Sequence, residues 1–277
     1  MVRNVSVVVG NGGMGRAISR RIGSGRTLLI ADRDPDSLEP VAERMREDGF
    51  DVTSTGVDVT SPESIAALAE TARGLGQVTQ LVHTAGVSPA QGGIEQILAV
   101  DILGPALVLD EFVEVVAPGA AAVVISSNAG HMVSEPLTPE DQLLLRTTPA
   151  QDLLGMSLIS PDRFTDRAVA YMFAKRVARL RVQGAAKAWA RRGSRVNSIS
   201  PGVVATPMGR AERSSGNTFV ERLIALSPAG RAATAEEIAD AVVFLLGPAA
   251  AFITGADLLV DGGAIAAIDS GQLPTHS

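Results

Sequence analysis

The chain has 277 residues, of which 46% are hydrophobic and 19% charged, with a net charge of −6. That length and apolar content suit one large globular domain, and the acidic balance argues against nucleic acid or an anionic membrane surface as a partner. The absence of cysteine excludes disulfides, thiolate metal sites and cysteine nucleophiles, and His83, His131 and His276 are too scattered for zinc, so no metal is expected. The longest apolar stretch, residues 238–253, is broken by Asp240, Gly247 and Pro248 and does not read as a membrane span. Residues 5–9 are too short for a secretory leader, which makes a soluble cytoplasmic protein the expectation.

Those same residues 5–9 form a β-branched run ended by glycine, the pattern of a buried parallel strand. Gly10-Asn11-Gly12-Gly13-Met14-Gly15 follows, and residues 16–22 continue with helical periodicity. A Gly-x-Gly-x-x-Gly turn between strand and helix lets backbone amides approach a pyrophosphate, and the helix N-terminus adds partial positive charge. The second strand, 27–31, ends at Asp32. A carboxylate there takes the adenosine ribose hydroxyls and repels a 2′-phosphate, which favours NAD; the adjacent Arg33 leaves NADP open. A polar-faced helix over 37–48 and a third strand over 51–57 lead to Asp58, and Ser61-Pro62 opens the next helix. The spacing then predicts strand four at 80–83, a helix over 94–116 containing Gly104-Pro105, and strand five at 120–125. A long helix over 163–191 precedes strand six at 195–199, a capping box at Thr234-Ala235-Glu236-Glu237, and a last strand at 257–260. This alternation predicts an α/β, doubly wound parallel sheet with helices on both faces, a single domain over residues 1–269, and a flexible tail over 270–277.

Tyr171 is the only tyrosine, and Lys175 is one of two lysines against 22 arginines. Arginine serves elsewhere as the generic positive charge, so a lysine at 175 points to a role for a compact ammonium of tunable pKa. On a helix the two positions share one face. A phenol titrates near 10; a neighbouring ammonium favours the phenolate, and a cationic cofactor ring favours it further. The result is a group able to exchange a proton with an alcohol or carbonyl oxygen. Standing alone, the pair reads equally as two residues on a helix surface.

It does not stand alone. Asp58 after strand three, His83-Thr84-Ala85-Gly86 after strand four, Ser126-Ser127 after strand five, Pro201-Gly202, Thr254-Gly255 and Val260-Asp261-Gly262-Gly263 complete an ordered set. In that order the chain resembles the short-chain dehydrogenases/reductases up to about residue 265, and is most similar to the bacterial 3α-hydroxysteroid dehydrogenase/carbonyl reductase branch. The resemblance implies a Rossmann-like fold and an NAD(P)-dependent oxidoreductase that interconverts a secondary alcohol and a ketone or aldehyde. It implies that Ser127 hydrogen-bonds the substrate oxygen, with Ser126 the competing choice, that Tyr171 passes the proton, and that Lys175 holds the nicotinamide ribose. It places Gly10, Gly12, Gly13, Met14 and Gly15 at the pyrophosphate, Asp32 and Arg33 at the adenosine ribose, and Asp58 and Val59 by the adenine. Ala85 and Gly86 would line the ribose, Pro201, Gly202 and Val204 the nicotinamide, and Thr206 its amide or the phosphates.

Three positions depart from the family pattern. Gly10 and Gly13 enclose two residues where the family has three, His83 replaces an asparagine and reads as a buried strand-end residue, and Asp101 stands where the family has its relay asparagine. A carboxylate at 101 either keeps the relay water or raises the tyrosine pKa by like-charge repulsion.

Between Ser127 and Tyr171 lie 43 residues, more than the family spacing. The extra stretch, 131–162, carries helix-start signals at Thr138-Pro139-Glu140 and Thr148-Pro149-Ala150. It reads as a helical insert packed on the domain or on a partner, or as a pocket wall in which His131 reaches substrate. In the resembling branch such an insert covers the helix face used for tetramer packing. That leans the choice between homodimer and homotetramer towards a dimer through the C-terminal strand and helix. Residues 203–227 read as a mobile substrate loop, and Trp189 as packing or interface. The apolar insert and loop suit a small hydrophobic alcohol or ketone, steroid-like or alicyclic. The rival readings are a non-catalytic NAD(P)-binding regulator on the same fold, and a sugar-nucleotide epimerase or dehydratase, for which the chain lacks the length.

Overall fold

A computed structural model describes residues 3–133, 136–214 and 218–271. Its sheet is built outward from β1 (Asn4–Val9), which pairs in parallel with β2 (Thr27–Asp32) on one side and β4 (Gln77–His83) on the other. β3 (Asp51–Gly56) lies beyond β2; β5 (Val116–Ile125), β6 (Arg195–Pro201) and β7 (Asp257–Val260) continue beyond β4. The order β3-β2-β1-β4-β5-β6-β7 reverses direction between β1 and β4, and this switch point opens a crevice at the carboxyl ends of those strands.

Central strands buried on both faces are apolar throughout, which is why residues 5–9 and 27–31 were legible as strands. α1 (Gly13–Ile22), α2 (Pro35–Glu47) and α10 (Ala235–Leu246) cover one face. α3 (Pro62–Leu75), α4 (Ile94–Leu98), α5 (Gly104–Val115) and α7 (Arg167–Arg191) cover the other. Ser61 caps α3, accepting from Ser64 N at 3.1 Å, and Thr234 and Glu237 form the reciprocal box that opens α10. Trp189 is packing: it is buried and its indole donates to the Leu109 carbonyl.

Several boundaries differ from expectation. The helix expected over 94–116 is interrupted by a π-turn, Ala99–Leu103, between α4 and α5. Pro105 has no N–H to give the carbonyl four residues back, that of Asp101, and its ring crowds that carbonyl; the turn widens, with Gly104 N–H donating to Ala99 O. α7 begins at Arg167 rather than 163 because Asp166 caps it, accepting from Ala168 N at 2.5 Å. In the insert, Thr138 opens α6 (Pro139–Thr147) with a capping box to Asp141, but the second signal yields 3₁₀ turns, Ala150–Gly155 and Ser157–Ile159, not an α-helix.

Arg181 of α7 fastens the insert down. Its Nη1 donates to the carbonyls of Leu145, Arg146 and Thr148 at 3.3, 3.2 and 2.6 Å, while Nη2 lies 3.4 Å from Asp110 of α5. A Cβ at Gly184 would fall 2.2 Å from the Arg146 carbonyl oxygen, so only glycine allows this approach. The expected substrate loop is helical over most of its length, as α8 (Pro207–Ser214) and α9 (Thr218–Leu226), and its residues 215–217 lie outside the described residues. α11 (Ala264–Asp269) closes the chain, and all but 270 and 271 of the expected tail lies outside the described residues. Among the described residues no helix is long and apolar enough to cross a membrane, and no acidic or histidine cluster is arranged for a metal.

Candidate active site

The glycine turn is shaped by close approaches. Gly10 has φ +102°, and a Cβ there would lie 2.5 Å from Ala85 N; one at Gly15 would lie 1.9 Å from the Gly10 carbonyl oxygen. Gly12 caps α1 without a side chain, and a Cβ on it would meet nothing within 4 Å. A helix N-terminus left open in this way can hold an anion. A Cβ on Gly13 would meet Thr206 Cγ2 at 2.8 Å, which makes Thr206 the opposite wall, while Met14 packs on the core beneath. Asp32 accepts from Asn11 N at 2.6 Å and Arg33 N at 2.7 Å, so its carboxylate is held beside the turn; Arg33 is exposed. Buried Asn11 Oδ1 has no partner among the described residues. An open helix terminus, a fixed carboxylate and an unpartnered acceptor side by side fit a dinucleotide.

Other expected cofactor residues follow the carboxyl ends of β3, β4 and β6. Asp58 accepts from Thr60 N and Oγ1, and the Thr60 hydroxyl first, then its amide, hold the carboxyl below the usual range. Val59 turns its side chain into the core, where a Cβ on Gly104 would meet it at 3.0 Å. Ala85 N donates to Val9 O, Pro201 ends β6, Gly202 lies against Asp261, and buried Val204 bridges to Ala233.

Beside the crevice the two serines divide their work. Ser126 Oγ donates to the Lys175 carbonyl at 2.8 Å and pins α7 to the end of β5, whereas the Ser127 hydroxyl is near enough to Tyr171 to lower its pKa. Lys175 Nζ stands 5.3 Å from the Tyr171 ring centroid and 3.1 Å from Asp101 Oδ1. Asp101, raised on the π-turn, also accepts from Val87 N at 3.2 Å; its Oδ2 is buried without a partner among the described residues. Gly86 is the only residue type that fits between them, since a Cβ there would lie 2.8 Å from Asp101 Oδ1 and 3.1 Å from Nζ. Ser127, Tyr171, Lys175 and Asp101 thus form one contiguous cluster.

Charge within the cluster is strongly coupled. Burial pulls Lys175 down, but the Asp101 charge, the tyrosine and the hydrogen bond to Asp101 outweigh it, and the ammonium is held above its ordinary pKa. Burial pushes Asp101 up against the opposing lysine. For Tyr171 burial raises the pKa, Lys175 lowers it, Asp101 raises it, the Ser127 hydroxyl lowers it and Glu212 raises it, with a net upward direction. The lysine therefore acts as expected but does not by itself outweigh burial and the two carboxylates. His83 is 1% exposed, and burial with the nearby Lys175 charge depresses it to about 3, so it stays neutral. Sequence reasoning missed Glu212, on α8, whose Oε1 accepts from Ala90 N at 2.8 Å; no local motif marks it. His131, one alternative for a substrate contact, instead bonds Asp257 of β7 at 2.8 Å.

A parallel sheet with a glycine turn at its switch point and a Ser–Tyr–Lys cluster at the same end defines an oxidoreductase that uses a nicotinamide dinucleotide. Residues 3–138 match the family model described as short chain dehydrogenase, and residues 142–264 the one described as Enoyl-(Acyl carrier protein) reductase. The short-chain dehydrogenase/reductase bsc3 of Alternaria brassicicola is 41% identical over 269 residues, 96% of this chain and 97% of that protein. The 3-alpha-hydroxysteroid dehydrogenase/carbonyl reductase of Comamonas testosteroni is 29% identical over 235 residues, 80% of this chain and 88% of that one. The solved structure of gox2181 shares the fold at a TM-score of 0.75 and 22% identity, over 96% of this chain and 97% of its own. The chain belongs to the short-chain dehydrogenase/reductase family, whose members use NAD(P).

Proposed function

We propose that the protein interconverts a secondary alcohol and a ketone or aldehyde, with Tyr171 as general acid and base. The observation that carries this is the Tyr171–Lys175 pair, with Nζ 5.3 Å from the ring and 3.1 Å from Asp101, beside Ser127 at the same end of the sheet as the glycine turn. Bound NAD(P) supplies the hydride acceptor or donor. Ser127 Oγ donates to the substrate oxygen and fixes its distance from the phenol. Tyr171 Oη takes the proton from the alcohol, or returns it to the carbonyl, at that same oxygen. Lys175, kept charged by Asp101, stabilises the phenolate and holds the nicotinamide ribose. Gly10, Gly12, Gly13, Met14, Gly15 and Thr206 would hold the pyrophosphate end, Asp32 the adenosine ribose, and Pro201, Gly202 and Val204 the nicotinamide. The carboxylate held beside the turn favours NAD over NADP.

The substrate we infer is a neutral hydrophobic alcohol or ketone. Val203, Leu223, Ile224 and Val260, together with Arg231, Glu237 and Asp261, line a cavity of about 280 Å³ past the end of β6 that would take an apolar group, and Glu212, whose charge reaches Tyr171, disfavours carboxylate-bearing substrates. A homodimer is the assembly this surface supports: the insert packs on α5 and α7, while β7 is an open sheet edge and α10 and the turn after it expose Val243, Phe244 and Phe252. Tyr171→Phe tests the reading. Turnover of a secondary alcohol should vanish while NADH binding by calorimetry stays within about twofold; retained turnover sinks the assignment. Wild-type protein that binds NADH yet turns over no member of an alcohol and ketone panel would favour the regulator.

A further inference from the structure

The turn that carries Ser127 is anchored at its far end by a carboxylate from the last strand. Ser127 caps the 3₁₀ turn Asn128–His131: its Oγ accepts from Ala129 N at 3.1 Å and its carbonyl from Gly130 N at 3.0 Å. At the end of the turn, His131 Nε2 lies 2.8 Å from Asp257 Oδ2 on β7. Arg179, one turn beyond Lys175 on α7, grips the same two partners. Its Nη1 donates to the Gly130 carbonyl at 3.1 Å, and its Nε lies 3.3 Å from Asp257 Oδ2. The other oxygen, Asp257 Oδ1, accepts from Ser198 Oγ at 2.5 Å and Ser200 Oγ at 3.0 Å, both on β6.

Asp257 is therefore a hub with four side-chain partners and a side chain only 8% exposed. Burial pushes its carboxyl up, but the bonds from His131 and Ser198, the Arg179 charge and the bond from Ser200 outweigh it and leave the group below its ordinary value. On the α7 side the turn has no slack: a Cβ on Gly130 would lie 2.8 Å from Arg176 N. Apolar packing would hold a buried turn without the desolvation cost of two charged groups. What directional bonds add is a fixed rotation of the turn, and with it a fixed direction for the Ser127 hydroxyl.

We propose that His131 is a positioning residue for Ser127, acting through its hydrogen bond to Asp257. The proposal rests on the reading of Ser127 as the group that holds the substrate oxygen. Misplacing a catalytic group by about 1 Å costs up to about 100-fold in rate. His131→Ala should thus lower kcat by about 10- to 100-fold, with NADH affinity unchanged and thermal unfolding near that of the wild type. His131→Gln, whose amide nitrogen can still donate to Asp257, should recover most of the loss. The deciding measurement is a double-mutant cycle on kcat. In a Ser127→Ala background, His131→Ala should cost nothing further, because the group it positions is gone. An equal loss in both backgrounds, or an unchanged kcat in His131→Ala, overturns this proposal alone. Full activity of Ser127→Ala overturns the reading of Ser127 and this proposal with it. If His131→Ala does not fold, Asp257→Asn carries the same cycle with the same expectations.

Discussion

Asp101 pairs with the lysine beside Tyr171, the proposed general acid and base, and replacing it with asparagine keeps its shape while removing a negative charge. Oδ1 is 3.1 Å from Lys175 Nζ, and Nζ is 5.3 Å from the ring centroid, so the two legs put the carboxylate within about 8.4 Å of the ring. At an effective dielectric of about 20 that separation corresponds to about 2 kcal/mol, favouring the protonated phenol. Asp101→Asn removes this contribution and should lower the Tyr171 pKa. An opposing effect follows from the loss of the lysine's counterion, which lets the Lys175 pKa fall. The direct effect dominates wherever the lysine remains protonated, and the net shift is downward. On the proposed mechanism phenolate is the base in alcohol oxidation, so a lower pKa makes it available at lower pH. The acid limb of kcat/KM against pH, measured with NAD and a secondary alcohol, should therefore move to lower pH. A limb that stays in place or moves up refutes the reasoning. The same variant should lose stability in denaturant unfolding, by up to about 3 kcal/mol, because it leaves a buried ammonium without its charge partner.

Other consequences follow from named contacts. Asp32→Ser removes the carboxylate beside the glycine turn, and the NADP-to-NAD affinity ratio by calorimetry should rise at least about tenfold; an unchanged ratio would transfer cofactor choice to other residues. Gly15→Ala forces a Cβ to within 1.9 Å of the Gly10 carbonyl oxygen, so NADH binding should be lost and stability reduced by about 1 to 3 kcal/mol. Arg181→Met strips the insert of three carbonyl bonds; thermal unfolding should come earlier and limited proteolysis should nick residues 139–160 first. Asp257 has a lowered folded pKa, so its stabilisation is present above about pH 4 and is lost as pH falls through the folded value. Wild type should accordingly exceed Asp257→Asn in urea stability at pH 6, with the gap closing towards pH 3. Light scattering should give a dimer, and a tetramer would show that the insert does not block the second interface.

Local chemistry made much of the fold legible. Strands at 5–9 and 27–31 announce themselves because buried parallel strands need apolar runs and stop at glycine or aspartate, and the Thr234–Glu237 box marks α10 because its bonds close within four residues. Failures came where one local signal had two uses. Thr148-Pro149 reads as a helix start, yet Thr148 N donates back to Leu144 O and its carbonyl is taken by Arg181, so the pair ends α6 instead. Apolar periodicity runs unbroken through residues 94–116, and only Pro105 hints that the helix must widen at Asp101.

The site divides in the same way. Gly10 to Gly15 and the Tyr171–Lys175 pair are close in sequence and could be read from spacing, whereas Asp101 meets Lys175 from 74 residues away and His131 meets Asp257 from 126. Position 101 was marked by register, but the sign of its effect was not readable, because burial, one ammonium and two carboxylates oppose one another at Tyr171. A motif supplies the reacting groups. The balance of charge that sets their pKa comes from Asp101 and Glu212, which arrive from separate helices, and the hold on Ser127 comes from a carboxylate on the edge strand. Chemistry in this protein can therefore be tuned at positions that no catalytic motif contains, and Asp101 and His131 are where that tuning should first be measured.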